Sequence, residues 1–364
     1  MNFYMPVKVY CERDCVKNFG NEWSSLGHRA LIVTGRSSSR NGSLDDVTDV
    51  LRAHQKEYII FDQTEENPSV ETVMKVRDIG VRENVDFIIG IGGGSPMDAA
   101  KAIALMIHHR DKSAEYLYCH GDSSALPVVE IPTTCGTGSE VTPISVLTRH
   151  SMRTKSSIPH RIFPKYALVD GKYLESAPES ILTNTSVDSL GHLIESYINL
   201  GASPFSRMLS EYGMNLWKDV KSALLSNNIS NKDRDLMMLT STLAGMAITH
   251  AGTTLPHGLS YFLTYEMHIP HGQAVGYFLP GYVAAAAPET QAKVLELIGC
   301  TNIEEFSNLI HALIGSLEMS DDMINSAITG ILANERKLKP VPYTVTEDVL
   351  RNFFQMAKQP MFSS

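Results

Sequence analysis

Asp188 and His192 stand four residues apart in SVDSLGHLIESYIN, and His257 and His271 bracket the segment HGLSYFLTYEMHIPH. On a helix, side chains at i and i+4 share one face, about 5–6 Å apart at Cβ, so the first pair can reach one ion together. One carboxylate and three imidazoles suit Fe²⁺ or Zn²⁺ and leave a coordination position for a substrate oxygen. The chain has 13 histidines, and any one of them alone is ordinary surface or satisfied core. The four gain weight because a second motif points to the same chemistry.

That motif is VDFIIGIGGGSPMDAAK, residues 85–101, which reads as strand, glycine loop and helix. Three glycines let backbone approach a ligand without a Cβ in the way. Pro96 fits a first helical turn, which makes Ser95 the expected N-cap. The free N–H groups and the dipole at such a helix start make a pyrophosphate site. Neither GxGxxG nor GxxxxGK[ST] is present, so the two commonest nucleotide fingerprints are absent. Two further polar loops follow strand-like runs, Thr34–Ser39 (TGRSSS) and Ile131–Glu140 (IPTTCGTGSE). Together the three loops are expected to line one crevice at the carboxyl ends of parallel strands.

The elements that must position these residues follow from periodicity. Short β-branched runs at Ala30–Thr34, Tyr58–Asp62, Val85–Ile91 and Pro127–Ile131 alternate with amphipathic stretches at Ser43–Lys56 and Ser69–Arg82. This predicts a parallel sheet covered by helices, closed by two more strand-like runs, Ile144–Leu147 and Tyr166–Asp170. From Pro178 the pattern turns helical, over 178–199, 204–226, 233–266, 288–299, 303–319 and 344–359. At 364 residues the chain exceeds the size at which single cores stop growing, about 250–300 residues. The expected division is therefore an α/β dinucleotide-binding domain over 1–177 and a helical metal- and substrate-binding domain over 178–364.

Composition narrows the function classes. The 43% hydrophobic and 20% charged content is that of a globular enzyme, and the net charge of −9 argues against nucleic acid or an anionic membrane as the main partner. Five scattered cysteines match no zinc-ribbon or CxxC spacing, consistent with reduced thiols. The first residues lack a basic region followed by an apolar run, and no stretch reaches the roughly 18 apolar residues of a membrane span, so a cytoplasmic protein is expected.

The segments GGGSPMDAAK (92–101), EIPTTCGTGSEVTP (130–143), DSLGHLIE (188–195) and HGLSYFLTYEMHIPHG (257–272) resemble the iron-containing (group III) alcohol dehydrogenase family, within the dehydroquinate synthase-like superfamily. The likeness runs through nearly the whole chain in the family's order. It is most similar to short NADP-using members that carry a TGxSSS…NGSLDD turn, here Thr34 to Asp46. The resemblance implies a Rossmann-like sheet domain before an all-helical metal domain, and a homodimer. It makes Asp188, His192, His257 and His271 the metal ligands, with Fe²⁺ expected and Zn²⁺ the alternative. It places Asn67 by the adenosine side of the cofactor. Gly93, Gly94, Ser95 and Asp98 would hold the pyrophosphate and nicotinamide ribose, Thr133, Thr134 and Thr137 would line the cleft, and Lys155 would reach the ribose and phosphate.

NAD-preferring relatives tend to carry an Asp after the Thr of the first strand, where this chain has Gly35, then Arg36, Ser37, Ser38 and Ser39. Without that carboxylate a 2′-phosphate is not repelled, and Arg or Ser can bond it, so NADP(H) is expected over NAD(H). The implied reaction is hydride transfer between NADP(H) and a small primary alcohol, diol or aldehyde, with the metal lowering the pKa of the alcohol oxygen. Tyr261 and His268 are the candidates to help the proton, and Ile144, Leu147, Phe262 and Tyr277 those for substrate shape. The departures from the family pattern are Ser186, Gly191, Cys135 and Tyr261. Two other readings use the same parts: a dehydroquinate synthase-like lyase that returns its hydride, and a nucleotide-binding protein without catalysis.

Overall fold

A computed structural model describes residues 3–152 and 154–359. The chain divides into two compact units, one spanning Tyr4–Ala177 and the other running from Pro178 and including Phe3, whose ring stacks on His250, so the first unit starts at Tyr4 and not at residue 1. Strands of the first unit are β1 (Lys8–Cys11), β2 (Arg29–Thr34), β3 (Glu57–Phe61), β4 (Phe87–Gly92), β5 (Val128–Pro132), β6 (Val146–Arg149), β7 (Thr154–Ser157) and β8 (Tyr166–Val169). Six of them form one parallel sheet in the order β1-β8-β5-β4-β2-β3.

Every residue of β4 and β5 is buried, which is why both read in the sequence as continuous apolar runs rather than as an alternation. Helices α1 (Ser43–Ala53), α2 (Val70–Arg82) and α3 (Gly94–His108) supply the cover. Successive strand residues face opposite sides, so Leu31, Val33 and Ile88 pack with Val73 and Val76 of α2 and Ala99 and Ile103 of α3. Ala30, Ile32 and Ile89 pack with Val47 and Leu51 of α1 and with Trp23.

Two details differ from the sequence expectation. The run Ile144–Leu147 contributes to β6, which pairs antiparallel with β7 in a separate two-stranded ribbon instead of closing the parallel sheet. One edge of the sheet is β1, a strand the periodicity did not mark because its residues are only half-buried or exposed.

In the second unit, α4 (Glu179–Tyr197), α5 (Pro204–Ser226), α6 (Asn231–Ala251), α7 (Leu255–Glu266) and α8 (His271–Gly276) carry or support the candidate ligands. Residues 233–266, read as one periodic segment, are two helices. Gly252 takes φ 80° after α6, and Pro256 sits in the first turn of α7, where its missing N–H is no loss. A helix over Asp321–Leu332, N-capped by Ser320, lies where no helix was expected. Among the described residues no helix is long and apolar enough to cross a membrane.

Candidate metal centre and cofactor loops

Asp188 and His192 lie one turn apart on α4, both buried. His257 is in the first turn of α7, also buried, and His271 opens α8 with its side chain 37% exposed. Ligand atoms of Asp188, His192 and His257 all lie within 4.8 Å of one another. Asp188 Oδ1 is 3.5 Å from His257 Nε2 and 3.7 Å from His271 Nε2. The rings of His192 and His257 stack with centroids 4.3 Å apart, and those of His257 and His271 meet at 5.4 Å. The four residues named from the sequence are thus brought together by three helices.

Small residues allow that approach. A Cβ on Gly272 would overlap the carbonyl of Asn184, so α8 can settle on α4 only with glycine there. A Cβ on Gly191 would stand 2.5 Å from Val275 Cγ1, which accounts for one departure from the family pattern: Val275 fills the space.

The buried polar atoms test whether a cation fits. Asp188 Oδ1 and His257 Nε2 are shielded from solvent and have no hydrogen-bond partner, although leaving such atoms unpaired in a protein interior is costly. A divalent ion would satisfy both, and the donor set is the one such ions take. Burial pushes the Asp188 pKa up, but His192 and His271 beside it outweigh burial and hold the group ionised, below the usual carboxylate range. Burial pushes His192 down to about 4 against the pull of Asp188, which leaves its imidazole neutral at physiological pH, the ligating form.

Sequence reasoning missed Glu195, a fully buried carboxylate one turn beyond His192. Its Oε1 accepts from Thr254 N at 2.6 Å, Thr254 Oγ1 at 3.1 Å and His257 N at 3.4 Å, so it caps the start of α7 from another helix. Its Oε2 accepts from His257 Nδ1, which orients the ring and turns Nε2 toward Asp188. The residue belongs to DSLGHLIE, but nothing local links it to a histidine 62 positions away.

In the first unit, the glycine loop and the Thr133–Glu140 loop leave the carboxyl ends of adjacent strands, β4 and β5, and the Thr34–Ser39 turn leaves β2 on the other side of β4. A Cβ on Gly93 would meet Thr134 Oγ1 at 3.2 Å, and one on Gly94 would meet Thr137 Cγ2 at 2.9 Å. Thr133 N donates to Gly92 O at 2.8 Å. Ser95 is not the N-cap: α3 starts at Gly94 with Gly93 as cap, and Ser95 Oγ instead accepts from Asn67 N at 3.0 Å. Asn67 holds the left-handed φ of 58° and its carbonyl accepts from Thr148 Oγ1, so the residue sits against the start of the glycine-loop helix.

Asp98 turns inward, accepting from Ser139 Oγ at 2.6 Å and Val146 N at 2.9 Å. Beside it the fully buried Lys101 donates to Ser139 O and Oγ, both at 2.7 Å, and to Ile144 O at 2.9 Å. These two residues fasten the second loop to α3. Lys155 sits half-buried on β7, its pKa lowered by burial. Gly35 and Ser37 lie in the turn after β2; Arg36, Ser37 and Ser39 are exposed, whereas Ser38 is buried. Of the side chains considered for substrate shape, Leu147 is wholly buried in the core under α2 and α3, and Tyr277 is buried with its hydroxyl accepting from Gln273 Nε2. Packing explains both. Tyr261 is exposed, its ring 6.1 Å from that of His271, and His268 is exposed at φ 55°.

The family model for iron-containing alcohol dehydrogenase matches residues 6–171, and that for the C-terminal part of the Fe-containing alcohol dehydrogenase family matches residues 182–332. The chain belongs to the iron-containing alcohol dehydrogenase family. It is an oxidoreductase of that family, and the lyase alternative gives way. Its sequence is 31% identical to the NADPH-dependent butanol dehydrogenase of Clostridium saccharobutylicum, over 85% of this chain and 82% of that protein. It is 30% identical to the NAD-dependent methanol dehydrogenase of Bacillus methanolicus, over 82% and 80%. The fold is similar to the crystal structure of an iron-containing alcohol dehydrogenase from Thermotoga maritima, with a TM-score of 0.88 at 37% identity over 98% and 99% of the two chains. Family relatives with either cofactor match about equally well, so similarity alone does not choose between NAD and NADP.

Proposed function

We propose that this chain is an Fe²⁺-dependent, NADP(H)-linked alcohol dehydrogenase that interconverts short primary alcohols or diols and their aldehydes, working chiefly as an aldehyde reductase. The observation that carries the reading is the pair of buried, unpartnered ligand atoms, Asp188 Oδ1 and His257 Nε2, 3.5 Å apart with His271 Nε2 beside them. Asp188, His192, His257 and His271 would hold the ion. Gly93, Gly94, Ser95, Thr133, Thr134 and Thr137 would receive the cofactor's pyrophosphate side, with Asn67 and Lys155 toward its riboses.

When bound, the metal supplies Lewis acidity toward an alcohol or aldehyde oxygen and NADP(H) supplies the hydride carrier. The chain's own residues set the conditions. Asp188 brings a negative charge within reach of the ion that offsets a cation in a buried place. Glu195 accepts the Nδ1–H of His257 and keeps Nε2 turned toward the site. Burial pulls the His257 pKa down, but Glu195 and Asp188 outweigh it and raise the pKa to about 9, so taking up an ion would displace the Nε2 proton. The backbone of Gly93 and Gly94, at the start of α3, offers free N–H groups and the positive end of the helix dipole to a phosphate. The preference for NADP(H) is supported by Gly35, which places no carboxylate at the end of β2, and by exposed Arg36, Ser37 and Ser39 just beyond it. Direction follows from the cofactor, since cells keep the NADP(H) pool largely reduced.

The test is loss of 340 nm absorbance by Fe²⁺-loaded protein with aldehydes up to about butanal size, NADPH and NADH in parallel. The expected result is stoichiometric oxidation of NADPH, slower oxidation of NADH, and abolition by a chelator. Equal rates with both cofactors would sink the argument from Gly35 and Ser37. No net oxidation with any aldehyde, metal and cofactor being bound, would sink the dehydrogenase itself.

A further inference from the structure

The far end of α3 carries a second convergence of ligand atoms that the reaction does not use. His108 is the last residue of the helix, His109 is its C-cap, and Asp122 lies on the loop that follows the next short helical turn. One ligand atom from each lies within 4.8 Å of the other two. His109 Nε2 is 3.8 Å from Asp122 Oδ2, is shielded from solvent, and has no hydrogen-bond partner.

The surroundings aim these groups at one another. Asp122 Oδ1 is occupied by Ser124 N at 3.0 Å and Ser124 Oγ at 2.8 Å, which leaves Oδ2 to face His109. The carbonyl of Asp122 accepts from Tyr116 Oη at 2.8 Å, and the Tyr116 ring lies 4.8 Å from that of His109, so loop and helix end are fastened through one residue. His109 N donates to Leu105 O, closing the helix. The negative end of the helix dipole favours a cation at this end. Tetrahedral Zn²⁺ at ordinary bond lengths sets its ligand atoms about 3.3 Å apart, a contraction that side-chain rotations of the exposed His108 and Asp122 can supply.

We propose that His108, His109 and Asp122 form a second divalent-metal site, for Zn²⁺ or a similar imidazole-seeking ion, that ties the C-terminal end of α3 to the 119–124 loop. Two imidazoles and a carboxylate are the ligand types such ions take, with a remaining position for water. The site is independent of Asp188 and its neighbours, and it stands or falls apart from the proposed reaction.

The experiment is a Zn²⁺ titration of the untagged, chelator-stripped full chain, followed by calorimetry. The parent is expected to bind two equivalents. Asp122→Ala and His108→Gln, both at exposed positions, are each expected to bind one, with the metal-free melting temperature of His108→Gln unchanged. Asp188→Ala is expected to keep the equivalent that these two lose. Alcohol oxidation by Fe²⁺-loaded Asp122→Ala should equal that of the parent. The inference is overturned if Asp122→Ala and His108→Gln bind as many equivalents as the parent, or if the sole equivalent bound is the one that Asp188→Ala abolishes.

Discussion

Glu195 shows how much of the candidate metal centre rests on a side chain that is not one of the proposed ligands. Its two oxygens serve different ends: Oε1 accepts the first amides of α7, and Oε2 holds the ring of His257. Replacing it with alanine removes both. Outer-shell carboxylates of this kind typically contribute 10–100-fold to metal affinity, so Glu195→Ala should weaken Fe²⁺ binding by about that factor. Leaving the buried Thr254 and His257 donors unsatisfied should also destabilise the fold by about 1–3 kcal/mol. Both are measurable, the first by equilibrium metal titration and the second by urea unfolding of the stripped protein. Unchanged affinity in a folded Glu195→Ala variant would refute the positioning role. Glu195→Gln, which can still accept from Nδ1, should recover most of the affinity.

At the scale of elements, the site depends on α8 lying against α4 at Gly272. Gly272→Ala sets a methyl group against the Asn184 carbonyl, so the helices must separate or α8 must shift. Overpacking of this sort costs about 1–3 kcal/mol, and here it should also carry His271 away from Asp188. The expected outcome is a lower unfolding midpoint with a clear loss of Fe²⁺ affinity; a variant that matches the parent in both would show that α8 has room to spare. The elements themselves were partly legible in the sequence. β4, its glycine loop and α3 stood out because a buried parallel strand, a ligand-accessible turn and a proline in a first helical turn each leave a local mark. The Asp188–His192 pair stood out for the same reason, since i,i+4 spacing is a property of one helix. Three things were hidden. Strand β1 has no apolar alternation, the break after α6 hangs on the conformation of Gly252, and the placing of Ser95 under Asn67 instead of as a cap is a contact between segments. Long-range pairing decides the first and the last, and a local backbone choice at Gly252 the second; periodicity reports neither.

For the molecule as a whole, Lys337 makes stability sensitive to alkali. Its Nζ donates to Thr253 Oγ1 at 2.7 Å and lies 5.6 Å from the ring of Tyr261. Burial pushes its pKa down to about 8, with Glu195 opposing and Arg336 adding to the shift. Between pH 8 and the ordinary 10.5 the unfolded chain keeps a proton that the folded chain has released. Folding stability at this position therefore rises with pH across that window and is lowest below it. Compared by urea midpoint, the parent should gain on a Lys337→Met variant as pH climbs through the window; parallel curves would show that Lys337 keeps an ordinary pKa.

The order of the chain has a consequence for how the enzyme is made. All strands of the six-stranded sheet fall between Lys8 and Val169, and all four candidate iron ligands fall between Asp188 and His271. Synthesis runs from the N-terminus, and domains generally fold as units while it proceeds. The glycine loops are thus on hand before the first ligand has been translated, and no ion can be gathered in full until His271 is clear of the ribosome. With these four as the proposed ligands, iron acquisition is expected late in biosynthesis, and translation arrested between Val169 and Asp188 would release a chain with the candidate nucleotide loops but none of its candidate iron ligands.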